Sequence, residues 1–211
     1  MGRCRCRDHA FRSGNAGLSA SGRENFEPGK AYVVMSNHAS LVDIPAMMGA
    51  IPGSMRMVTK EELTKLPVWG QALLASGFIP IDRKNRRTAV KSFELAAERI
   101  RKGNTIVVFP EEGRSRERTM KPFQRGAFLL AMKSEQPIVP LAVQGTFDVY
   151  NARSRWIRSG VVTIRAGTPI ATAGLSLRDK DRLLRESRAQ IHAMLFGRPE
   201  DPAPAASEPP E

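Results

Sequence analysis

Residues 31–36, AYVVMS, form a short apolar run that enters a polar turn, the pattern of a buried strand. After Asn37 and His38, a helix is predicted from near Asp43 to Ala50, ended by Pro52 and Gly53. Residues 55–59 read as a strand, and 61–76 as a helix that Pro67 tightens or breaks. Residues 77–81 are a third strand. Over 88–102, Val90, Phe93, Ala97 and Ile100 recur at helical spacing, and Gly103 follows as a C-terminal stop. A β-branched strand at 105–109, a helix at 124–134 and a buried strand at 138–143 come next. Residues 160–170 read as a late strand pair or edge. A last helix opens at Ser176 and runs to about Phe196, with Leu184, Ile191 and Leu195 on one side. Strands separated by helices predict an α/β layered fold.

Composition sharpens the domain picture. A length of 211 residues suits one domain. Hydrophobic content of 41% with 26% charged residues excludes wholesale disorder, a collagen-like repeat and a disulfide scaffold. From Pro199 to Glu211 there are four acids, five prolines and no Lys or Arg, leaving 33 basic against 17 acidic residues elsewhere. The reading is a disordered basic arm at 1–22, a folded domain at 23–197 and a disordered Pro-rich acidic tail at 198–211. Cys4 and Cys6, separated by one Arg, read as reduced thiols in the arm, which predicts a cytoplasmic setting. No run approaches the ~18 apolar residues of a transmembrane helix.

A body this basic seeks an anionic partner: nucleic acid, an anionic membrane or a phosphate-bearing substrate. Aromatic residues at 6% offer few stacking platforms, and no recognition motif appears, so nucleic acid is set aside. The folded body has only two His, far apart in sequence and without paired ligand spacing, which argues against a metal centre.

Candidate chemistry begins at His38, which follows a strand in SNHASLVD. On a regular helix, five residues at ~100° each would carry Asp43 off the face of His38. A turn between strand and helix can fold them together, letting the carboxylate fix the imidazole tautomer and leave the other nitrogen to take a proton. Taken alone, the pair also fits an ordinary surface or core position. Beyond the strand at 105–109, the polar turn FPEEGRS offers Arg114 as a planar donor fork for phosphate and Ser115 as a hydroxyl. Arg83 and Lys60 each follow another strand. Three cations at three strand ends suggest a convergent phosphate site; singly, each also fits a solvated basic rim.

The ordered series NHASLVD, GFIPIDR, FPEEGRS and IVPLAV resembles the four motifs of the glycerolipid acyltransferase family, over about residues 22–195. The resemblance is strongest to its bacterial 1-acylglycerol-3-phosphate acyltransferases, which make phosphatidic acid from lysophosphatidic acid. It implies a single-domain α/β fold with a central mixed sheet flanked by helices. It further implies that His38 is the general base on the free sn-2 hydroxyl of the acceptor and that Asp43 orients it, with direct attack on a thioester. Lys60, Arg83, Glu111, Arg114 and Ser115 are implied acceptor phosphate-binding residues, and Ile138, Val139 and Pro140 are implied to face the acyl chain and donor. The resemblance implies acyl-CoA or acyl-carrier protein as donor and co-substrate, with neither metal nor resident cofactor.

Two departures stand out. The usual third motif reads Glu-Gly-Thr-Arg-Ser, so Glu112 stands where Gly is typical and Gly113 where Thr is. A carboxylate beside a phosphate site repels the substrate unless it points away, and a turn needing positive φ would strain Glu112. That residue motivates the alternative readings: another lysolipid acceptor, or a weakly active lipid-binding relative. Relatives also often carry an N-terminal hydrophobic helix or helix pair, and here that region is polar and Arg-rich. Two readings follow: the sequence starts short of such a helix, or the protein binds the membrane otherwise, by peripheral docking on the cytoplasmic face of an anionic membrane. The surface expected for it is residues 44–57, with Met47, Met48, Met55 and Met57, and residues 66–81 around Trp69. Lys60, Lys65, Arg83, Lys84, Arg86 and Arg87 would rim it.

Overall fold

The computed structural model describes residues 11–13, 16–81 and 86–198. Its strands are β1 (Phe11–Ser13), β2 (Ala16–Ser21), β3 (Val33–Ser36), β4 (Met55–Lys60), β5 (Ile79–Ile81), β6 (Thr105–Val108), β7 (Ile138–Gln144) and β8 (Val161–Ala166). They form one mixed sheet in the order β1-β2-β8-β7-β3-β6-β4-β5. The run from β7 to β5 is parallel, so the carboxyl ends of those five strands share one edge. β8 is antiparallel to β7.

Helices α1 (Asp43–Ala50), α2 (Glu61–Thr64), α3 (Trp69–Ala75), α4 (Arg86–Arg101), α5 (Gly126–Ser134), α6 (Thr146–Val149) and α7 (Lys180–Phe196) supply the connections. Strands β3 and β6 are buried on both faces, which is why they read as continuous apolar runs without alternation. Val33, Met35, Ile106 and Val108 point to one core with Ile100 of α4, Phe128 of α5 and Leu183 of α7. Val34, Val107 and Val139 point to a second core beneath Met47 of α1. Truncating a fully buried anchor such as Phe128 to Ala costs about 3–5 kcal/mol.

The expected 61–76 helix is broken at Pro67 into α2 and α3. The two pieces approach so closely that a Cβ on Gly70 would stand 2.0 Å from the Thr64 carbonyl oxygen. Of the α4 positions read from periodicity, Ala97 and Ile100 are buried; the side chains of Val90 and Phe93 lie outside the described residues.

One boundary is corrected. The basic arm expected to be disordered through residue 22 contributes β1 and β2, with β2 running parallel to β8 through Leu18↔Val162 and Ala20↔Ile164. The small residues Ala16, Gly17, Ser19, Ala20 and Ser21 conceal the period-2 pattern there, while pairing with β8 satisfies the backbone and Ala20 is buried. Residues 1–10, with Cys4 and Cys6, and the acidic tail at 199–211 lie outside the described residues.

Candidate active site

The chain leaves β3 at Ser36 and turns through residues 37–42 before α1 begins at Asp43. Asn37 anchors the turn: its Nδ2 donates to the Val143 carbonyl (2.9 Å), and the Val143 N–H donates to its Oδ1 (2.8 Å). This side chain extends the β3–β7 ladder by one rung. The turn then brings His38 Nδ1 to 2.8 Å from Asp43 Oδ2. The same oxygen accepts the N–H groups of Ala39 (2.8 Å) and Ser40 (2.9 Å). An ionised carboxylate can only accept, so Nδ1 carries the proton and Nε2 is left as the basic nitrogen. Asp43 is fully buried, whereas the His38 side chain keeps 13% exposure. Asp43 Oδ1 accepts no hydrogen bond among the described residues.

The turn after β6 holds the other side of His38. Phe109 stacks on the imidazole, with ring centroids 3.9 Å apart. Glu111, only 3% exposed, accepts the His38 N–H with Oε1 (3.0 Å) and the Lys121 N–H with Oε2 (2.9 Å). Burial raises the pKa of its carboxyl above the usual carboxylate value, and the two amide hydrogen bonds only partly offset this. The Ser115 N–H donates to the His38 carbonyl (2.7 Å). Both backbone polar groups of His38 are therefore held by the 109–115 turn.

His38, Glu111 and Ser115 form one wall of a cavity of about 450 Å³. Val143, Gly145, Thr146 and Phe147 also line it, with Leu195 and Phe196 from the end of α7. A volume of this order accommodates a small ligand or part of an acyl chain. Thr146 Oγ1 is buried and has no hydrogen-bond partner among the described residues.

The acyltransferase family model matches residues 18–144, which include β3, the His38 turn and the 109–115 turn. The chain belongs to the acyltransferase family. Human 1-acyl-sn-glycerol-3-phosphate acyltransferase alpha is 36% identical over 179 residues, covering 84% of this chain and 62% of that protein. Human 1-acyl-sn-glycerol-3-phosphate acyltransferase beta is 31% identical over 153 residues, 72% of this chain and 55% of that protein. The crystal structure of the 1-acyl-sn-glycerophosphate acyltransferase PlsC from Thermotoga maritima superposes with a TM-score of 0.70 at 26% identity. It covers 82% of this chain and 68% of that one. The chain thus spans about three-fifths of the length of the curated relatives it matches.

In this acyltransferase-family chain, the remaining predicted site residues divide. Lys60, exposed at the end of β4, and Arg114, half-buried after β6, lie on the same sheet edge as His38, and neither has an ion-pair partner among the described residues. Arg83 lies outside the described residues. The Ser115 hydroxyl donates its single proton to the Glu117 carbonyl (2.8 Å), so it has no donor for a phosphate in this arrangement. Ile138, Val139 and Pro140 are buried at the start of β7 and do not line the cavity. The cavity takes Val143 and Gln144 from the other end of that strand. Parallel strands deliver their carboxyl ends to a site, and four residues at ~3.3 Å each separate the two positions.

Glu112 has φ 56°, the left-handed turn position at which glycine is unstrained, and its side chain is exposed. Sequence reading missed Lys121, whose Nζ lies 3.7 Å from where a Cβ on Gly113 would stand. It also missed Thr146. Their signal was weak: each sits in a connecting segment between the recognisable motifs.

Proposed function

We propose that this chain transfers a fatty acyl group from a thioester donor to the free sn-2 hydroxyl of lysophosphatidic acid, giving phosphatidic acid. The observation that carries the reading is the His38–Asp43 pair, buried at its carboxylate end and open to the cavity at its imidazole. The names of the relatives support the acceptor.

Nε2 of His38 takes the proton of the acceptor hydroxyl as its oxygen attacks the thioester carbonyl. Asp43 keeps the imidazole in the Nδ1–H tautomer and stabilises the imidazolium that forms. The tetrahedral intermediate collapses by expelling the thiolate, and His38 returns the proton to sulfur. The acyl group goes straight to oxygen, so no acyl-enzyme forms. Lys60, Arg83 and Arg114 are the cations for the acceptor phosphate. Glu111 and Ser115 hold the peptide that carries the base.

Acyl-CoA or acyl-carrier protein serves as donor, and no resident cofactor takes part. Among the described residues no helix is long and apolar enough to cross a membrane. Docking is peripheral, on the cytoplasmic face of an anionic membrane. The Met positions contribute little to it: Met47 and Met57 are core, and of that stretch Met48 is well exposed. The segment after β4 is better placed, because Leu63, Leu66, Val68 and Leu74 are exposed beside Lys60. The side chains of Trp69, Lys84, Arg86 and Arg87 are outside the described residues.

The test is purified protein given acyl-CoA or acyl-carrier protein with a panel of acceptors: lysophosphatidic acid, a lyso-aminolipid and glycerol 3-phosphate. Phosphatidic acid as the dominant product is expected. Faster turnover of either other acceptor would overturn the acceptor assignment, and no transfer to any would overturn the activity.

A further inference from the structure

We propose that the loop at 151–160, between α6 and β8, seats the protein on an anionic lipid surface; this rests on the acceptor being a membrane lipid. Trp156 and Ile157 form the loop's tip at 81% and 74% exposure, a large apolar pair presented to solvent. Arg153, Arg155 and Arg158 surround it on the same loop, and Arg116 joins them across a cleft of about 480 Å³ that has no acid in its lining. None of the four arginines has an ion-pair partner among the described residues. An exposed Trp–Ile tip ringed by unpaired cations matches the headgroup boundary of a bilayer, where the indole is favoured and each Arg meets anionic lipid.

The loop is built in place. The Arg158 N–H donates to the Val149 carbonyl (2.8 Å), and Asn151 Nδ2 to the Phe147 carbonyl (3.1 Å). Ser40, two residues from His38, donates its hydroxyl proton to the Tyr150 carbonyl. Because Gln144 pairs with Thr163, the loop lies at the sheet edge where β7 ends, the edge that carries His38. Phe147 lines both the arginine cleft and the catalytic cavity. Docking through this loop therefore presents the cavity to the layer that holds a lysolipid acceptor. A soluble anion accounts for the arginines but leaves the Trp156–Ile157 tip without a purpose.

The experiment is co-sedimentation of the full chain with vesicles of phosphatidylglycerol and phosphatidylcholine at low and high salt. Four proteins are compared: wild type, Trp156→Asp/Ile157→Asp, Arg153→Gln/Arg155→Gln/Arg158→Gln, and Trp156→Phe. One Arg at an anionic surface is worth roughly fivefold in affinity, so the triple substitution should weaken binding roughly 100-fold at low salt. The aspartate pair should weaken binding at least about tenfold at both salts, and Trp156→Phe should reduce the blue shift of tryptophan emission on vesicle addition, Trp69 being the second tryptophan. Circular-dichroism melts matching wild type show that the variants are folded, as their exposed positions predict. Binding that ignores the substitutions, or wild type that stays in the supernatant, would overturn the proposal. So would coenzyme A or an oligonucleotide binding wild type through these arginines while vesicle binding is unaffected by the aspartate pair. Acyl transfer to detergent-dispersed lysophosphatidic acid, measured without vesicles, tests the activity separately. Its absence with vesicle binding intact removes the reaction and not the lipid seat, and the converse removes the seat alone.

Discussion

The carboxylate of Glu111 accepts the backbone N–H of His38 at 3.0 Å, joining residues 73 positions apart in the chain. With the Ser115 N–H on the His38 carbonyl, the turn after β6 grips the peptide unit of His38, the proposed base. Glu111→Gln replaces one acceptor oxygen by a donor and turns it against an amide. A displacement of the base by about 1 Å lowers turnover about 100-fold. Steady-state kinetics should therefore show kcat for Glu111→Gln falling about 10- to 100-fold, with the acceptor KM changed by less than about threefold. Arg114→Ala should do the reverse, raising KM about tenfold through a lost phosphate contact. An unchanged kcat with a raised KM for Glu111→Gln would return that residue to substrate binding.

The same carboxylate sets a pH dependence of stability. Burial holds the folded-state pKa of Glu111 above its ordinary 4.5, so near and above that value the folded chain binds more protons at this group than the unfolded chain does. Its contribution is complete below 4.5 and is lost as pH rises through the raised folded value. Urea unfolding across this window should show the stability of wild type relative to Glu111→Gln shrinking as pH increases. A widening gap would contradict the burial argument.

Asn37 supports the site from below. Its amide satisfies both the N–H and the C=O of Val143 in a buried position. Asn37→Ala orphans both groups and should cost about 2–4 kcal/mol in urea unfolding. A loss under about 0.5 kcal/mol would mean that the β7 end finds other partners.

At Glu112, backbone and charge can be separated. With φ at 56°, Glu112→Gly should gain about 0.5–1 kcal/mol, read as a melting temperature a few degrees higher. Glu112→Ala keeps the Cβ and should gain nothing. If the carboxylate repels the acceptor, both variants lower KM alike. If KM stays at the wild-type value in both, the exposed side chain does not reach the phosphate.

Much of the sheet and helix order was legible in the sequence because strands buried on both faces and amphipathic helices leave strong periodic signals. Pro67 marked the break between α2 and α3, and the motif's usual glycine flagged Glu112 as the position that a positive φ would strain. What was not legible depends on three-dimensional contact. Strand β2 hides among Gly and Ser because its partner β8 lies far along the chain. The use of Glu111 and Ser115 as supports for the His38 backbone cannot be read from residue type, since the same groups could equally bind a ligand. Ile138–Val143 marked a real strand, but a motif does not say which end of a strand reaches the cavity. The arginine loop carries no periodicity at all.

The central claim is that His38, held by Asp43, is the base for acyl transfer. The most direct measurement is the initial rate of phosphatidic acid formation from acyl-CoA and lysophosphatidic acid by wild type and His38→Ala, at equal folded concentration confirmed by thermal melts. A general base contributes about 10²- to 10⁴-fold. The predicted result is a fall in kcat of at least about 100-fold with acceptor binding retained. A rate equal to that of wild type would contradict the account.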